Sequence, residues 1–264
     1  MTLLSVLDLH KSFGGVVAAR NVTFALEAGK LLAVIGPNGA GKSTIFNMVG
    51  GQLAPDSGRV LLEGQDITTL APRRIWRLGV GRTFQVAQTF VSMTVAENVQ
   101  MALISRNDRT RAWWPDATGL YREEALSLLE RVGLGGQADR PCSELAYGDV
   151  KRVELAVALA GTPKLLLMDE PTAGMAPKER IELMRLAVGI ARERRIGVLF
   201  TEHDMDAVFA HADDVIVLVR GEVIVAGRPD EVRASAAVRE VYLGGSAQGP
   251  LGVSQAATEP GRAM

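Results

Sequence analysis

The chain has few of the features that mark secreted, membrane-spanning or nucleic-acid-binding proteins. Its 264 residues include one cysteine, Cys142, so no disulfide can form within the chain, as is usual in a reducing compartment. The formal net charge of −1 lacks the basic surplus of nucleic-acid binders, so we expect no nucleic-acid partner. No run reaches the roughly 18 apolar residues of a membrane helix, and the first residues resemble a strand and not a signal peptide. Any membrane role would therefore come through a partner.

Hydrophobic residues make up 47% of the chain and charged residues 22%, the balance of a globular protein with a sizeable core. The length suits one large α/β domain or two small ones. Apolar runs alternate with segments of helical spacing, a pattern typical of a mostly parallel sheet wrapped by helices. Strands are predicted at 3–9, 22–27, 31–35, 59–63, 165–168, 198–201, 215–219 and 223–226, and helices at 42–49, 94–104, 121–132, 149–160, 177–194 and from 204.

A glycine-rich motif of the form G-x-x-x-x-G-K-[ST] follows the strand at 31–35 and opens a helix. Glycines allow backbone N–H groups to approach phosphate oxygens, and the helix adds its positive N-terminal end. The Lys42 ammonium would meet the β and γ phosphates of ATP, and the Ser43 hydroxyl would ligate Mg²⁺. The predicted phosphate-binding residues are Gly36, Pro37, Asn38, Gly39, Ala40, Gly41, Lys42, Ser43 and Thr44.

Two carboxylates, Asp169 and Glu170, end the apolar strand at 165–168. Such a strand can place one acid in the Mg²⁺ shell and the next against an attacking water. The pair is common by itself, but together with the glycine-rich loop it predicts a nucleotide-hydrolysing P-loop protein. A small P-loop kinase is an open alternative, although it needs a lid and an acceptor site.

Three further features resemble the ABC ATPases, over roughly residues 3–243. Thr201-Glu202-His203-Asp204 resembles the segment of the switch histidine, and Arg82-Thr83-Phe84-Gln85 resembles the Q-loop segment. The resemblance implies that His203 senses the γ-phosphate, that Gln85 serves catalysis and the metal, and that Phe13 stacks on adenine. A pentapeptide resembles the signature that contacts the ATP of the opposite subunit: Leu145, Ala146, Tyr147, Gly148 and Asp149.

Within that family the chain resembles the ATP-binding subunits of branched-chain amino-acid importers. The resemblance is carried by the Arg82-Thr83-Phe84-Gln85 segment, the Trp113-Trp114 insertion, the pentapeptide of the signature and Val241-Tyr242-Leu243-Gly244. The lipopolysaccharide-export ATPase shares the C-terminal motif and remains an alternative, but it lacks such an insertion. A soluble ABC-type ATPase acting on nucleic acid or ribosomes is a second alternative; such proteins usually carry two cassettes or a coiled-coil insertion.

The resemblance implies an α/β fold of the ABC type, with an antiparallel β subdomain and a helical signature subdomain. We expect an ATPase domain over residues 1–244, a helical subdomain inserted at about 88–160, and a flexible tail over 245–264. The implied partners are two membrane permease subunits, a second ATPase subunit that is identical or different, and indirectly a solute-binding protein. The implied location is the cytoplasmic face of the cell membrane, and the implied cofactors are ATP and Mg²⁺.

The sequence departs from the family pattern at positions that bear on hydrolysis. Ala146 replaces the signature serine, Asp149 replaces the usual glutamine, and Ala176 stands in place of an aspartate after the carboxylate strand. These changes put the rate and symmetry of hydrolysis in question, whereas the residues expected to bind ATP are intact.

Overall fold

The computed structural model describes residues 1–83, 89–107 and 119–243. The predictions for Gln85, for the Trp113-Trp114 insertion and for the C-terminal tail lie outside these residues. Within them, no helix is both long and apolar enough to cross a membrane.

The strands form two sheets. In a four-stranded antiparallel sheet, ordered β2-β1-β4-β5, the strands are β1 (Thr2–Phe13), β2 (Val16–Glu27), β4 (Ser57–Leu62) and β5 (Gln65–Asp66). A six-stranded sheet has the order β10-β9-β3-β8-β7-β6 and is parallel except for β10 at its edge. Its strands are β3 (Leu31–Ile35), β6 (Val80–Thr83), β7 (Leu165–Asp169), β8 (Gly197–Thr201), β9 (Asp214–Val219) and β10 (Glu222–Gly227).

Helices cover the six-stranded sheet. Among the described residues they are α1 (Lys42–Val49), α2 (Pro72–Arg77), α3 (Val95–Arg106), α4 (Arg122–Arg131), α5 (Tyr147–Ala160), α6 (Pro177–Arg194), α7 (Met205–His211), α8 (Pro229–Ala234) and α9 (Ala236–Leu243). Three of them, α3, α4 and α5, also contact one another as a helical unit. Thr94 and Glu97 start α3 with a reciprocal capping box, and Pro177 occupies the first turn of α6.

The core lies on both faces of the six-stranded sheet. Alternate residues of β3 point to opposite faces, as the period of a strand requires. Leu31, Ala33 and Ile35 pack with the helical unit and α6, whereas Leu32 and Val34 pack with α1 and the antiparallel sheet. Because both faces of β3, β7 and β8 are covered, their functional residues can lie only at the ends of these strands.

Three predicted elements, β3, α1 and α6, have the bounds that the sequence indicated. The prediction for the first strand was too short: β1 continues to Phe13 because it pairs with β2 as far as Val16. The signature helix was predicted to begin at Asp149, but it begins at Tyr147, since the Asp149 N–H already donates to the Ala146 carbonyl at 3.0 Å. The short elements β5, α2, β6, α8 and α9 were not predicted.

Candidate functional site

The glycine-rich loop connects the carboxyl end of β3 to α1. Lys42, the first residue of α1, is buried, and its Nζ donates to the Gly36 carbonyl at 2.8 Å and to the Pro37 carbonyl at 3.2 Å. Pro37, Asn38 and Gly39 are exposed. The loop therefore folds around the lysine and presents its middle residues to solvent, as a phosphate cradle does.

Two glycines of this loop are packed against neighbouring strands. A Cβ on Gly36 would lie 2.1 Å from the Leu218 carbonyl oxygen of β9, and a Cβ on Gly41 would lie 2.0 Å from the Ala18 carbonyl oxygen of β2. Both have positive φ, 153° and 104°. In addition, the Gly221 N–H donates to the Ala40 carbonyl at 2.9 Å. Residues on both sheets therefore fix the shape of the loop.

The two predicted carboxylates, Asp169 and Glu170, lie close enough to Lys42 to interact electrostatically with its ammonium group. Burial lowers the pKa of Lys42, and the negative charges of Glu170 and Asp169 act in the opposite direction. The fold has thus brought residues that are more than a hundred positions apart into one electrostatic cluster. An ammonium and two acids near a glycine-rich loop can hold a phosphate chain and its divalent cation.

Asp169 ends β7, and Glu170 turns away from the strand. One oxygen of Asp169, Oδ1, accepts a hydrogen bond from the Thr201 hydroxyl at 2.8 Å, and Oδ2 lies 3.9 Å from the Arg82 guanidinium. Glu170 has a left-handed φ of 48°, and its Oε1 lies 2.7 Å from Nε2 of His203. Glu170 and His203, which were predicted from separate motifs, are therefore in contact.

Three polar residues beside the carboxylates were missed in the sequence. Arg82, at the end of β6, donates to the side chains of Asn47 at 2.8 Å and Gln52 at 2.8 Å, which tether it to the end of α1. Thr201 ends β8 and is fully buried. The third residue is Glu202. The signal that could have identified them is a polar residue at the carboxyl end of an apolar strand.

Glu202 separates Thr201 from His203 and is itself buried. Its Oε1 accepts from the Thr172 N–H at 3.0 Å and from the Thr172 hydroxyl at 2.7 Å. Burial raises the pKa of Glu202, although these hydrogen bonds oppose the change. The pair links the segment after β8 to the segment after β7, so His203 and Glu170 share one support.

Other predicted nucleotide-binding residues lie near the ends of their elements. Phe13 ends β1 with 49% of its surface exposed, and Lys11 Nζ lies 5.6 Å from its ring centroid. Ser43 is exposed and Thr44 half-buried in the first turn of α1. An exposed aromatic ring and an accessible hydroxyl are what adenine stacking and cation ligation require.

The predicted signature forms the start of α5. Ala146 is the N-cap and offers no side-chain hydrogen bond to the first turn. Gly148 is buried, and a Cβ there would lie 3.4 Å from the side chains of Met175 and Glu179. Asp149 accepts a hydrogen bond from Gln137 at 3.1 Å.

The flanking residues differ in exposure. Leu145 packs on the core, whereas Tyr147 keeps 45% of its surface exposed. The first turn of α5 therefore offers backbone N–H groups, and the only side-chain charge at its own positions 145–149 is negative.

Comparisons with known proteins agree with this geometry. A profile of the ABC transporter family matches residues 19–173, and a profile described as branched-chain amino acid ATP-binding cassette transporter matches residues 222–248. The high-affinity branched-chain amino acid transport ATP-binding protein LivG of Escherichia coli K12 is 36% identical, covering 92% of this chain and 98% of LivG. A probable branched-chain amino acid transport ATP-binding protein of Archaeoglobus fulgidus is 35% identical, covering 92% of this chain and 96% of that protein.

Solved structures agree as well. An ATP-binding cassette of an ABC transporter in its ADP conformation superposes with a TM-score of 0.83 at 34% identity, covering 92% of this chain and 99% of that chain. A nucleotide-free cassette from an ABC transporter gives a TM-score of 0.82 at 33% identity, with the same coverage. The chain therefore belongs to the ABC transporter family, as an ATP-binding cassette ATPase of the group that includes the LivG proteins.

Proposed function

We propose that this chain is the ATP-hydrolysing subunit that powers an importer of branched-chain amino acids or a related small solute. The observation that carries the proposal is the cluster of Lys42, Asp169, Glu170 and His203 beside the glycine-rich loop, in a chain of this family. The solute rests on the names of the relatives, because no residue of an ATPase subunit needs to touch it.

Each part of the site has a role in this proposal. The backbone N–H groups of the loop bind the phosphates, Lys42 pairs with the β and γ phosphates, and Phe13 stacks on adenine. Glu170 polarises the attacking water as a general base. His203, which is 2.7 Å from Glu170, orients that carboxylate and contacts the γ-phosphate. Gln85 completes the catalytic set.

The donor set near the loop fits Mg²⁺. Carboxylate and hydroxyl oxygens are the ligands that this hard cation prefers, and it keeps several waters. Asp169 presents a carboxylate with one oxygen held by Thr201, and Ser43 presents an exposed hydroxyl. We propose that Ser43, Gln85 and Asp169 hold the ion, directly or through water. When bound, Mg²⁺ would neutralise charge on the phosphates.

The start of α5 serves the ATP of a second ATPase subunit in this proposal, and that subunit is identical or different. Two such chains, with ATP between them, work beneath two membrane permeases on the cytoplasmic face, and a solute-binding protein delivers the solute. ATP closes the pair and hydrolysis opens it. Ala146 and Asp149 weaken this chain's contribution to the shared site.

A replacement of the chromosomal gene by a Glu170→Gln allele in the native host tests the proposal. Uptake of radiolabelled leucine, isoleucine and valine should be lost, whereas a Glu123→Gln allele should keep it, because Glu123 is an exposed residue of α4. Normal uptake in the Glu170→Gln strain would contradict an importer of these solutes. An envelope defect with normal uptake would favour the exporter alternative, and a phosphorylated small-molecule product would favour the kinase.

A further inference from the structure

Thr201 is a buried polar residue at the end of an otherwise apolar strand. It closes β8, and none of its surface is exposed. The strand Gly197–Thr201 pairs in parallel with β7, and in that register Thr201 lies opposite Asp169. A hydroxyl at this depth needs hydrogen-bond partners to offset its loss of water.

The partners of this hydroxyl are the two acids of the site. Oγ1 of Thr201 donates to Oδ1 of Asp169 at 2.8 Å and accepts from the N–H of Glu170 at 2.9 Å. A hydroxyl has one donor hydrogen and two acceptor lone pairs, so both bonds form together. Because the carboxylate can only accept, the hydroxyl hydrogen points to Asp169 and leaves a lone pair for Glu170.

These bonds fix different properties of the two residues. For Asp169 the bond holds Oδ1 and leaves Oδ2 toward the cluster, where Arg82 is 3.9 Å away. For Glu170 the bond holds a backbone whose φ of 48° is unfavourable for a residue with a Cβ. The Glu170 N–H also reaches the Thr201 carbonyl at 3.2 Å, so one residue anchors this turn twice.

We propose that Thr201 is a positioning residue that sets the geometry of both acids through a single hydroxyl. This inference rests on the proposed function, in which Asp169 belongs to the Mg²⁺ shell and Glu170 polarises water. A valine has nearly the same shape but can neither donate nor accept. It would leave Asp169 Oδ1 buried without this partner and would leave the Glu170 N–H with the Thr201 carbonyl alone.

The first test compares Thr201→Val with Thr201→Ser in the purified full-length chain. Thr201→Val should lower kcat by about 10–100-fold, the usual range when a group that orients a metal ligand is removed. Thr201→Ser should recover most of that loss, because it keeps the hydroxyl. The affinity for ATP measured in EDTA should be the same in all three proteins, since the phosphate loop is untouched.

The second test measures the effect of the Thr201–Asp169 hydrogen bond on metal affinity, without relying on ATP turnover. In a Glu170→Gln background with bound ATP, binding of Mn²⁺ as a probe for Mg²⁺ is followed by electron paramagnetic resonance. Thr201→Val should weaken Mn²⁺ binding by about 10-fold or more. Thr201→Ser should bind Mn²⁺ like its parent.

A matched control is available beside the antiparallel sheet, outside the proposed site. The Thr68 hydroxyl also makes two hydrogen bonds: it accepts from the Val60 N–H at 2.9 Å and donates to Oδ1 of Asp66. Thr68→Val therefore removes a comparable threonine hydroxyl away from the two acids, and it should keep kcat and Mn²⁺ affinity. If Thr201→Val does not fold, Thr201→Cys replaces it. Its thiol is a weak donor, so its kcat should again fall well below that of Thr201→Ser.

The outcomes separate this inference from the proposed function. Wild-type kcat and Mn²⁺ affinity in Thr201→Val, or equal losses in Thr201→Ser and Thr201→Val, would overturn the positioning role. By contrast, a wild-type chain without ATPase activity, or a Glu170→Gln chain with normal turnover, would overturn the proposed function itself.

Discussion

The carboxyl edge of the six-stranded sheet and the start of α5 differ in their side-chain hydrogen bonds and in their charge. At the sheet edge, the Thr201 hydroxyl joins Asp169 and Glu170 through hydrogen bonds of 2.8 and 2.9 Å, and Glu170 lies 2.7 Å from His203. At the start of α5, Ala146 provides no cap, and the charge of Asp149 is the same sign as that of a phosphate. At the sheet edge, side chains are held in place by hydrogen bonds within the chain. At the start of α5, the groups available to a phosphate are mainly backbone N–H groups.

In the proposed pair of chains with ATP between them, this difference indicates what stabilises each half of the ATP site. The half proposed to bind the chain's own ATP is supported by side chains from several strands, so its geometry does not need a partner. The half proposed at the start of α5 has Ala146 and Asp149 in place of the usual serine and glutamine, so it lacks a hydroxyl and carries a carboxylate. We therefore expect single-chain nucleotide binding to be ordinary and association through ATP to be weak.

Replacing Glu170 by glutamine should give the largest effect, because it removes the proposed general base and leaves the glycine-rich loop intact. We expect kcat for ATP hydrolysis to fall by about 10²–10⁴-fold, with ATP binding retained in an equilibrium titration. Glu123→Gln serves as the surface control. Turnover at the wild-type rate would show that the sheet edge is not the catalytic half.

Replacing Lys42 by alanine should weaken binding of ATP to the isolated chain. The buried ammonium donates to the Gly36 carbonyl, and the charges of both acids act on it. Its loss should therefore remove the charge-assisted contacts proposed for the phosphates. Hydrogen bonds to charged groups contribute about 1.5–3 kcal/mol, or roughly 10–150-fold in Kd. Titration with a fluorescent nucleotide measures this change in Kd. An unchanged Kd would contradict the proposal that the glycine-rich loop and Lys42 bind the phosphates.

Restoring the usual signature should strengthen ATP-dependent dimerisation. In a Glu170→Gln background, Ala146→Ser adds a hydroxyl that contributes about 0.5–1.5 kcal/mol, and Asp149→Gln removes a repulsive charge. Sedimentation velocity with ATP should show a tighter dimer, whereas ADP should leave both proteins monomeric or weakly associated. Equal dimerisation of the parent and restored chains would mean that this half is not deficient. A tight parent dimer with both nucleotides would refute the γ-phosphate bridge.

The smallest effect concerns stability at the sheet edge. The folded pKa of Glu202 is raised above its ordinary 4.5, so the folded state binds its proton more tightly than the unfolded state does. Its contribution is fully present below pH 4.5 and is lost as pH rises through the folded pKa. Glu202→Gln keeps an acceptor for Thr172, so it should gain stability relative to wild type as pH increases. Urea denaturation from pH 4 to 8 measures the difference, which should vanish at the acid end.

The sequence was informative where one segment carries the whole signal. The bounds of β3 and α1 were predicted correctly, β3 from its continuous apolar run and α1 from the lysine that opens it. The glycine-rich loop lies between these two elements, as its motif indicated. The contacts of Thr201 and Arg82 could not be predicted, because they depend on β6, β7 and β8 lying side by side, and strand order is not a local property. The roles of Gln85 and of the insertion stay predictions.

The packing of Gly36 and Gly41 affects how a mutational scan of this protein would be interpreted. Alanine at either position would meet a main-chain oxygen of Leu218 or Ala18 at about 2 Å, far inside van der Waals contact, whether or not ATP is present. To relieve this overlap, the loop would have to move away from its flanking strands. Such variants would therefore score as inactive through a distorted loop. Gly39, which has no atom within 4 Å of a built Cβ, still has a φ of 79° and would be strained by alanine, so its score would combine that strain with any loss of phosphate contact. Intolerance of substitution along this loop is therefore a poor measure of proximity to nucleotide.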